Sequence, residues 1–284
     1  MVAMTRVTDI LTRAGLDFVS QSLSLLGGLA LLAVALHLVE RRVSRRLSHR
    51  FGWRSVLVTG WLGVPLHELS HLAMCWVFRH RIVAYRLFDP DPRTGTLGYV
   101  QHAYQRRSLY QLAGNFFIGV APLLAGSLVL LGGLALLLPG AQPPLSTEPA
   151  PVGFGPQLSH VVGLAGLTLG RMVTLSNLTS WQLWLFLALA LCVGAHLSPS
   201  CPDLTGALPG LALLLGLLFG LNVVNRAASL WPPELWVRVA AGVISPLLAV
   251  LCVALVLQMI FWLAVEAVVR LTSPRRGVSL GYES

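Results

Sequence analysis

Long apolar segments constrain this chain more than any other feature of its sequence. Residues 17–39, 110–138 and 238–269 are almost wholly apolar, and about 20 such residues cross the hydrocarbon core of a bilayer as a helix. Charged residues make up 11% of the chain, whereas soluble domains carry about 25%. We therefore expect an all-α polytopic membrane protein, with residues 1–284 forming a single membrane domain.

Shorter apolar segments extend this architecture. Residues 55–78, 181–197 and 205–223 are also apolar, which brings the prediction to about six transmembrane helices. Residues 159–176 are weakly apolar and contain Arg171, so they either span the membrane or lie along its surface. The lipid bilayer is thus an expected partner, and the cell membrane is the expected location.

Two segments between the apolar runs differ from them in character. In residues 79–107, two stretches rich in β-branched and aromatic residues flank the turn sequence DPDPRTG, which predicts a small β-hairpin directly after the second span. We expect this hairpin at the membrane surface. Residues 138–156 are rich in proline and predict a loop with no packed structure of its own.

The basic residues indicate contact with a membrane rather than with nucleic acid. All 20 are arginines, which suggests a GC-rich, bacterial genome. Six lie in residues 40–54 and six in residues 79–107, where short basic loops face anionic headgroups. One span separates the two loops, so counting positive charges does not decide the orientation. The sequence shows no basic face interleaved with aromatic residues, and nucleic acid is not an expected partner.

The segment GVPLHELSHLAMCWVF, residues 63–78, places three ionisable side chains inside an apolar run. His67 and His71 are one helical turn apart, so both imidazoles can reach one zinc ion. Glu68 follows the first histidine, where a carboxylate can act as the general base toward zinc-bound water. The alternative is a polar cluster that packs helices together. Because ionisable groups are costly in a membrane, a metal site is the prediction that accounts for all three.

Two histidines leave zinc short of its usual three protein ligands. Asp203 lies in the break LSPSCPD between two apolar runs, and broken backbone at membrane depth is buried in protein or lines a cavity. It is the first candidate for the third ligand, although its place before LTGALPG suits a helix cap equally well. His196 is the second candidate, as a ligand or as a residue that supports one; its alternative is an ordinary hydrogen bond at a helix end.

These residues resemble those of the site-2 protease family of intramembrane zinc metalloproteases. HELSH in an early span, a hairpin after it and a later motif with Pro, Asp and Gly follow the order of that family over residues 55–224. The resemblance implies a protease core in which His67, His71 and Asp203 hold one Zn²⁺ per chain. It implies Glu68 as the catalytic base. The late motif of that family ends in Leu-Asp-Gly, whereas this chain has Pro-Asp-Leu-Thr-Gly.

The same resemblance extends to the third span. The segment GNFFIGVAP is similar to a helix of that family in which an asparagine lies near the substrate. It implies that Asn115 contacts the substrate or a developing oxyanion. An interhelical hydrogen bond is the alternative for this side chain.

The expected function is that of a zinc metallopeptidase, an endopeptidase that acts on membrane-embedded protein substrates. The alternative is a membrane transporter or metal-handling protein that uses the same His/Asp site, because such residues beside a broken helix also form ion sites. A scaffold without activity is a third possibility. The intact HExxH argues against it, since a scaffold has no need of Glu68.

Overall fold

The computed structural model describes residues 2–144 and 151–272. The helices are α1 Val2–Ser22, α2 Gly28–Phe51, α3 Leu57–Val77, α4 Leu109–Leu137, α5 Phe154–Met172, α6 Leu175–Leu178, α7 Trp181–Gly194, α8 Cys201–Ala228 and α9 Leu235–Thr272. Two antiparallel strands, β1 Arg81–Arg86 and β2 Tyr99–Ala103, lie between α3 and α4. In the predicted proline-rich loop, residues 138–144 and 151–153 form neither helix nor strand, and residues 145–150 lie outside the described part.

Four helices among the described residues are long and apolar enough to cross a membrane. They are the continuous helix Met4–Phe51, which contains most of α1 and all of α2, and the helices α4, α8 and α9. The predicted helical fold with a small hairpin is confirmed, and the four apolar helices are compatible with a membrane protein. The count of about six spans is not confirmed. Helix α7 has 14 residues and is about 21 Å long, which is short of the ~30 Å hydrocarbon core.

The first helix begins well before the predicted span of residues 17–39. Its N-terminal part, α1, packs along α8 through polar contacts that hydropathy does not register. Arg226 donates to Asp17 at 2.8 Å, and the side-chain amides of Gln21 and Asn222 are paired at 2.8 and 3.1 Å. A π-helical turn, Leu23–Gly27, joins α1 to α2. These hydrogen bonds to α8 stabilise α1, the more polar part of the first helix.

Helix α4 lies at the centre of the bundle and contacts α3, α7, α8 and α9. Its contact with α8 is backbone to backbone at two glycines. A Cβ atom at Gly119 would lie 2.6 Å from the carbonyl oxygen of Asp203, and one at Gly210 would lie 2.6 Å from the backbone nitrogen of Phe116. Small residues allow such an approach between membrane helices. The start of α8 is thereby set against the middle of α4.

The hairpin folds back along α3. At its base, His80 Nε2 donates to the carbonyl oxygen of Gln111 at 2.8 Å, and His80 Nδ1 is 3.0 Å from His102 Nδ1. Near its tip, Leu97 lies 3.7 Å from the position of a Cβ atom at Gly60, in the first turn of α3. The hairpin therefore runs from the C-terminal end of α3 toward its N-terminal end, past the HELSH segment.

Candidate metal centre

The two histidines of HELSH turn the same ring nitrogen toward each other. His67 Nδ1 lies 2.7 Å from the carbonyl oxygen of His196, and His71 Nδ1 lies 2.8 Å from that of Ile118. A carbonyl oxygen only accepts hydrogen bonds, so each Nδ1 carries the ring proton. Each Nε2 then presents a lone pair, and the two Nε2 atoms are 3.1 Å apart. Two facing lone pairs repel at this distance unless a cation lies between them.

The carboxylate of Asp203 completes this cluster. Its Oδ1 is 3.4 Å from His71 Nε2, and its Oδ2 is 3.6 Å from His67 Nε2. Ser200 fixes the carboxylate, because its backbone N–H and its hydroxyl each donate to Oδ2 at 2.7 Å. The Ser200 hydroxyl also accepts from the backbone N–H of Asp203, which makes a capping box at the start of α8. The prediction of Asp203 as the N-cap is therefore wrong, because Ser200 is the N-cap and Asp203 is the N3 residue of the capping box. Its carboxylate also faces the two histidines, which keeps it a candidate ligand.

The three side chains fit one tetrahedral metal ion. Ligands at about 2.0–2.1 Å from zinc lie about 3.3 Å from one another at tetrahedral angles. The two Nε2 atoms are 3.1 Å apart, and each lies 3.4 or 3.6 Å from a different oxygen of Asp203, so these separations are near that value. With one ligand atom taken from each residue, all three lie within 4.8 Å of one another. His67, His71 and Asp203 form the one group of three potential ligands that lie close enough together within the described residues. Three protein ligands leave one coordination position for water or substrate.

Close helix packing brings these residues together. A Cβ atom at Gly63 would lie 2.6 Å from His196 Cδ2, so the absent side chain lets the loop after α7 approach α3. This approach delivers the carbonyl oxygen of His196 to the His67 ring. On the other side, Gly119 admits the start of α8 beside the carbonyl oxygen of Ile118. Each histidine is oriented by backbone from a neighbouring helix or loop.

Glu68 lies beside the metal ligands and is 8% exposed. It lines a cavity of about 590 Å³ whose walls also include the three ligands, residues 95–100 of the hairpin and residues 198–203 before and in α8. Gly98 passes over it so closely that a Cβ atom there would lie 2.9 Å from Glu68 Cγ. The carboxylate is therefore enclosed by the hairpin on one side and the metal ligands on the other.

The two remaining predicted residues occupy different positions. The ring of His196 turns away from the cluster, with its Nε2 3.2 Å from Thr59 Oγ1, and burial lowers its pKa to about 4. Its carbonyl oxygen supports His67, so His196 is not the third ligand in this structure. Asn115 is buried, its Nδ2 has no hydrogen-bond partner among the described residues, and it is not part of the cavity wall.

Glu40 is a cavity residue that the sequence did not single out. It lines both the 590 Å³ cavity and a neighbouring one of about 540 Å³ that leads toward Ser48 and Trp53. One of its carboxylate oxygens is buried without a hydrogen-bond partner in the described chain. Its place before a run of arginines suggested a loop. The structure instead continues α2 through it, which turns its side chain to the cavity.

No family model matches this chain, and comparisons with curated proteins and with solved structures also gave no match. Its chemistry must therefore be inferred from the site. A metal bound by two imidazoles and a carboxylate, with an adjoining buried carboxylate and a cavity for a reactant, has the parts needed to activate water for hydrolysis.

Proposed function

We propose that this chain is an intramembrane zinc metalloprotease that hydrolyses peptide bonds of membrane-embedded protein substrates. The observation that carries this proposal is the convergence of the His67, His71 and Asp203 ligand atoms beside Glu68 in a cavity. Zinc is the metal that suits this set of two imidazoles and one carboxylate at tetrahedral spacing. One ion per chain is expected.

The residues of the chain have separable roles in the reaction. Zinc, when bound, supplies a Lewis acid that polarises a carbonyl group and lowers the pKa of water. Glu68 takes a proton from the attacking water and transfers it to the leaving amine. The carbonyl oxygens of His196 and Ile118 keep the histidine rings in the ligating tautomer. Residues 198–203 form a polar wall through which water reaches the buried site.

The hairpin offers a way to hold the substrate. A membrane helix shields its peptide bonds with its own hydrogen bonds, so the substrate must unwind before it is cut. The sheet has two strands among the described residues, and in that part of the chain one edge of β2 is unpaired. An extended substrate that adds to this edge would form main-chain hydrogen bonds. Because residues 95–100 and Glu68 line the same cavity, a substrate strand added to this edge would pass close to Glu68.

The first test of the proposal is Glu68→Gln. The full chain in detergent is given a reporter in which a membrane helix joins a fluorescent protein to an affinity tag. The variant should keep about one zinc per chain and lose cleavage by about 10²–10⁴-fold, because the amide cannot accept the proton. Glu234→Gln is the matched control, since this exposed carboxylate pairs with Arg238 at the start of α9. Cleavage at the wild-type rate in Glu68→Gln would overturn the mechanism.

A separate measurement tests the ligand set. Zinc content of the wild-type chain is compared with that of Asp203→Ala, which removes the third ligand and should lower the content from about one per chain. No zinc in the wild type after reconstitution would remove the metal site. Zinc uptake by vesicles that is blocked by His67→Ala, without reporter cleavage, would instead indicate the transporter function.

A further inference from the structure

A groove of about 720 Å³ lies between α2 and α9, away from the metal centre. Helix α2 lines it with Arg42, Arg45, Arg46 and His49, and α9 lines it with Trp262, Leu263, Glu266, Ala267 and Arg270. Three arginines on α2 face Glu266 across this groove, and the fourth, Arg270, lies one helical turn after Glu266 on α9. With histidine neutral, its walls have a formal excess of three positive charges.

The single acidic side chain is already saturated. Glu266 accepts from Arg46 at 2.7 and 2.8 Å and from Arg270 at 3.0 Å. Arg42 and Arg45 donate to backbone carbonyl oxygens of their own helix, at 3.2 and 3.0 Å, and have no acidic partner among the described residues. Their remaining N–H groups are thus available to an anion. Guanidinium groups match the oxygens of a phosphate in geometry and charge.

The groove also has an apolar wall. Trp262, Leu263 and Ala267 form it on α9, whereas three of the four arginines lie on α2 just after its apolar part ends at Val39. Tryptophan and arginine at the ends of membrane helices are typical of the interface between headgroups and acyl chains. An inorganic anion would use the arginines alone. A lipid would use both walls, with its phosphate at α2 and the start of its acyl chain against α9.

We propose that this groove binds the phosphate headgroup of an anionic phospholipid. Basic pockets between membrane helices recognise such headgroups. The proposal differs from a general attraction of basic loops to the membrane, because it assigns the binding to particular arginines. Arg41 and Arg54 belong to the same basic segment and are exposed, but they do not line the groove. The proposal does not depend on protease activity.

The test counts lipids bound to the detergent-solubilised full chain by native mass spectrometry. Phosphatidylglycerol should bind saturably at one site, and phosphatidylcholine should bind much more weakly. The double variant Arg42→Gln/Arg45→Gln should weaken phosphatidylglycerol binding about 30-fold, since each arginine near an anionic headgroup contributes about five-fold. The matched control Arg41→Gln/Arg54→Gln removes equal charge and should change it less than about three-fold. Arg42→Lys/Arg45→Lys, which keeps the charge but not the fork, should fall between the two.

Three outcomes would overturn the proposal. Equal losses in the two glutamine pairs would show a general electrostatic attraction. Displacement of the lipid by inorganic phosphate at equal concentration would show a site for free anions. Unsaturable uptake of many lipids would show the absence of a defined site. Thermal unfolding of each variant, measured without added lipid, separates these results from loss of the fold.

Discussion

The ring nitrogens that face the cavity are set by what the opposite nitrogens contact. The carbonyl oxygens of His196 and Ile118 hold a proton on each Nδ1, and this leaves both Nε2 lone pairs free for a cation. The carboxylate of Asp203 is held just as firmly by Ser200. Each candidate ligand is thus oriented by a second group before any metal binds. Supporting contacts of this kind commonly change metal affinity by 10–100-fold when they are removed.

We predict that Ser200→Ala weakens zinc binding by about 10–100-fold, because Asp203 loses the hydroxyl that positions it. The variant should also lose about 1 kcal/mol of unfolding free energy with the N-cap of α8. Competition with a fluorescent chelator measures the first effect and thermal unfolding the second.

Ser180→Ala is the control for this prediction. Ser180 caps α7 through the same hydroxyl-to-backbone contact, but it lies outside the metal centre. Its loss should lower stability to a similar extent and leave zinc affinity unchanged. Equal zinc affinity in the two variants would contradict the positioning role of Ser200.

For single residues, the sequence predicts the candidate site side chains better than the groups that orient them. The spacing of His67, Glu68 and His71 follows from the helical repeat, and the structure brings Asp203 to the two histidines. Spacing could not decide between cap and ligand for Asp203, because the same carboxylate makes the capping contact and faces the two histidines. The roles of the His196 and Ile118 carbonyl oxygens leave no mark in the sequence, since every residue has a carbonyl group.

Among the elements, the contact between α4 and α8 matters most to the site. It sets the start of α8, and therefore Asp203, against α4 at Gly119. The sequence predicts both helices from their hydropathy, but not their closeness, because glycine is common in membrane helices whether or not it lies at a contact. Hydropathy also predicted only the apolar part of the first helix, residues 17–39, and not the polar residues before it. The polar contacts of α1 with α8 are made by residues distant in sequence.

We predict that Gly119→Ala destabilises the protein by about 1–3 kcal/mol, because the new Cβ would lie 2.6 Å from the carbonyl oxygen of Asp203. The forced shift of α8 should also weaken zinc binding. Gly132→Ala on the same helix meets no atom within 4 Å and should keep both properties. Unfolding and zinc titration of the two variants measure the difference, and equal values would rule out the close contact.

For the whole molecule, the path of the hairpin changes how the two basic segments are compared. Helix α3 has 21 residues and is about 31 Å long, and the hairpin returns along it. Its tip, with Gly95 and Leu97, shares a cavity with Trp53, whereas its base joins the start of α4 at Gln111. Charge counting treated residues 79–107 as one loop on one side. Their arginines instead divide between the two ends of α3.

We predict that Arg54→Cys and Arg93→Cys react with a membrane-impermeant maleimide from the same side of the membrane. Arg107 follows the hairpin base, so reaction of Arg107→Cys from the opposite side would show that α3, which is not among the four candidate spans, also crosses the membrane. The test uses oriented vesicles and a chain whose four native cysteines are replaced by alanine. Labelling of all three positions from one side would contradict a membrane-crossing α3.

The capping box of α8 has a consequence for how the protein would respond to a chelator. Because the carboxylate of Asp203 is a candidate metal ligand and also belongs to the capping box of α8, metal binding would be coupled to formation of the first turn of that helix. Loss of the metal would loosen that turn and the loop segment before it, while the rest of α8 stays packed on α4. Depletion of zinc would therefore register as faster amide exchange in one short stretch of the cavity wall. The amide exchange rate of that stretch would therefore measure how much of the protein has metal bound.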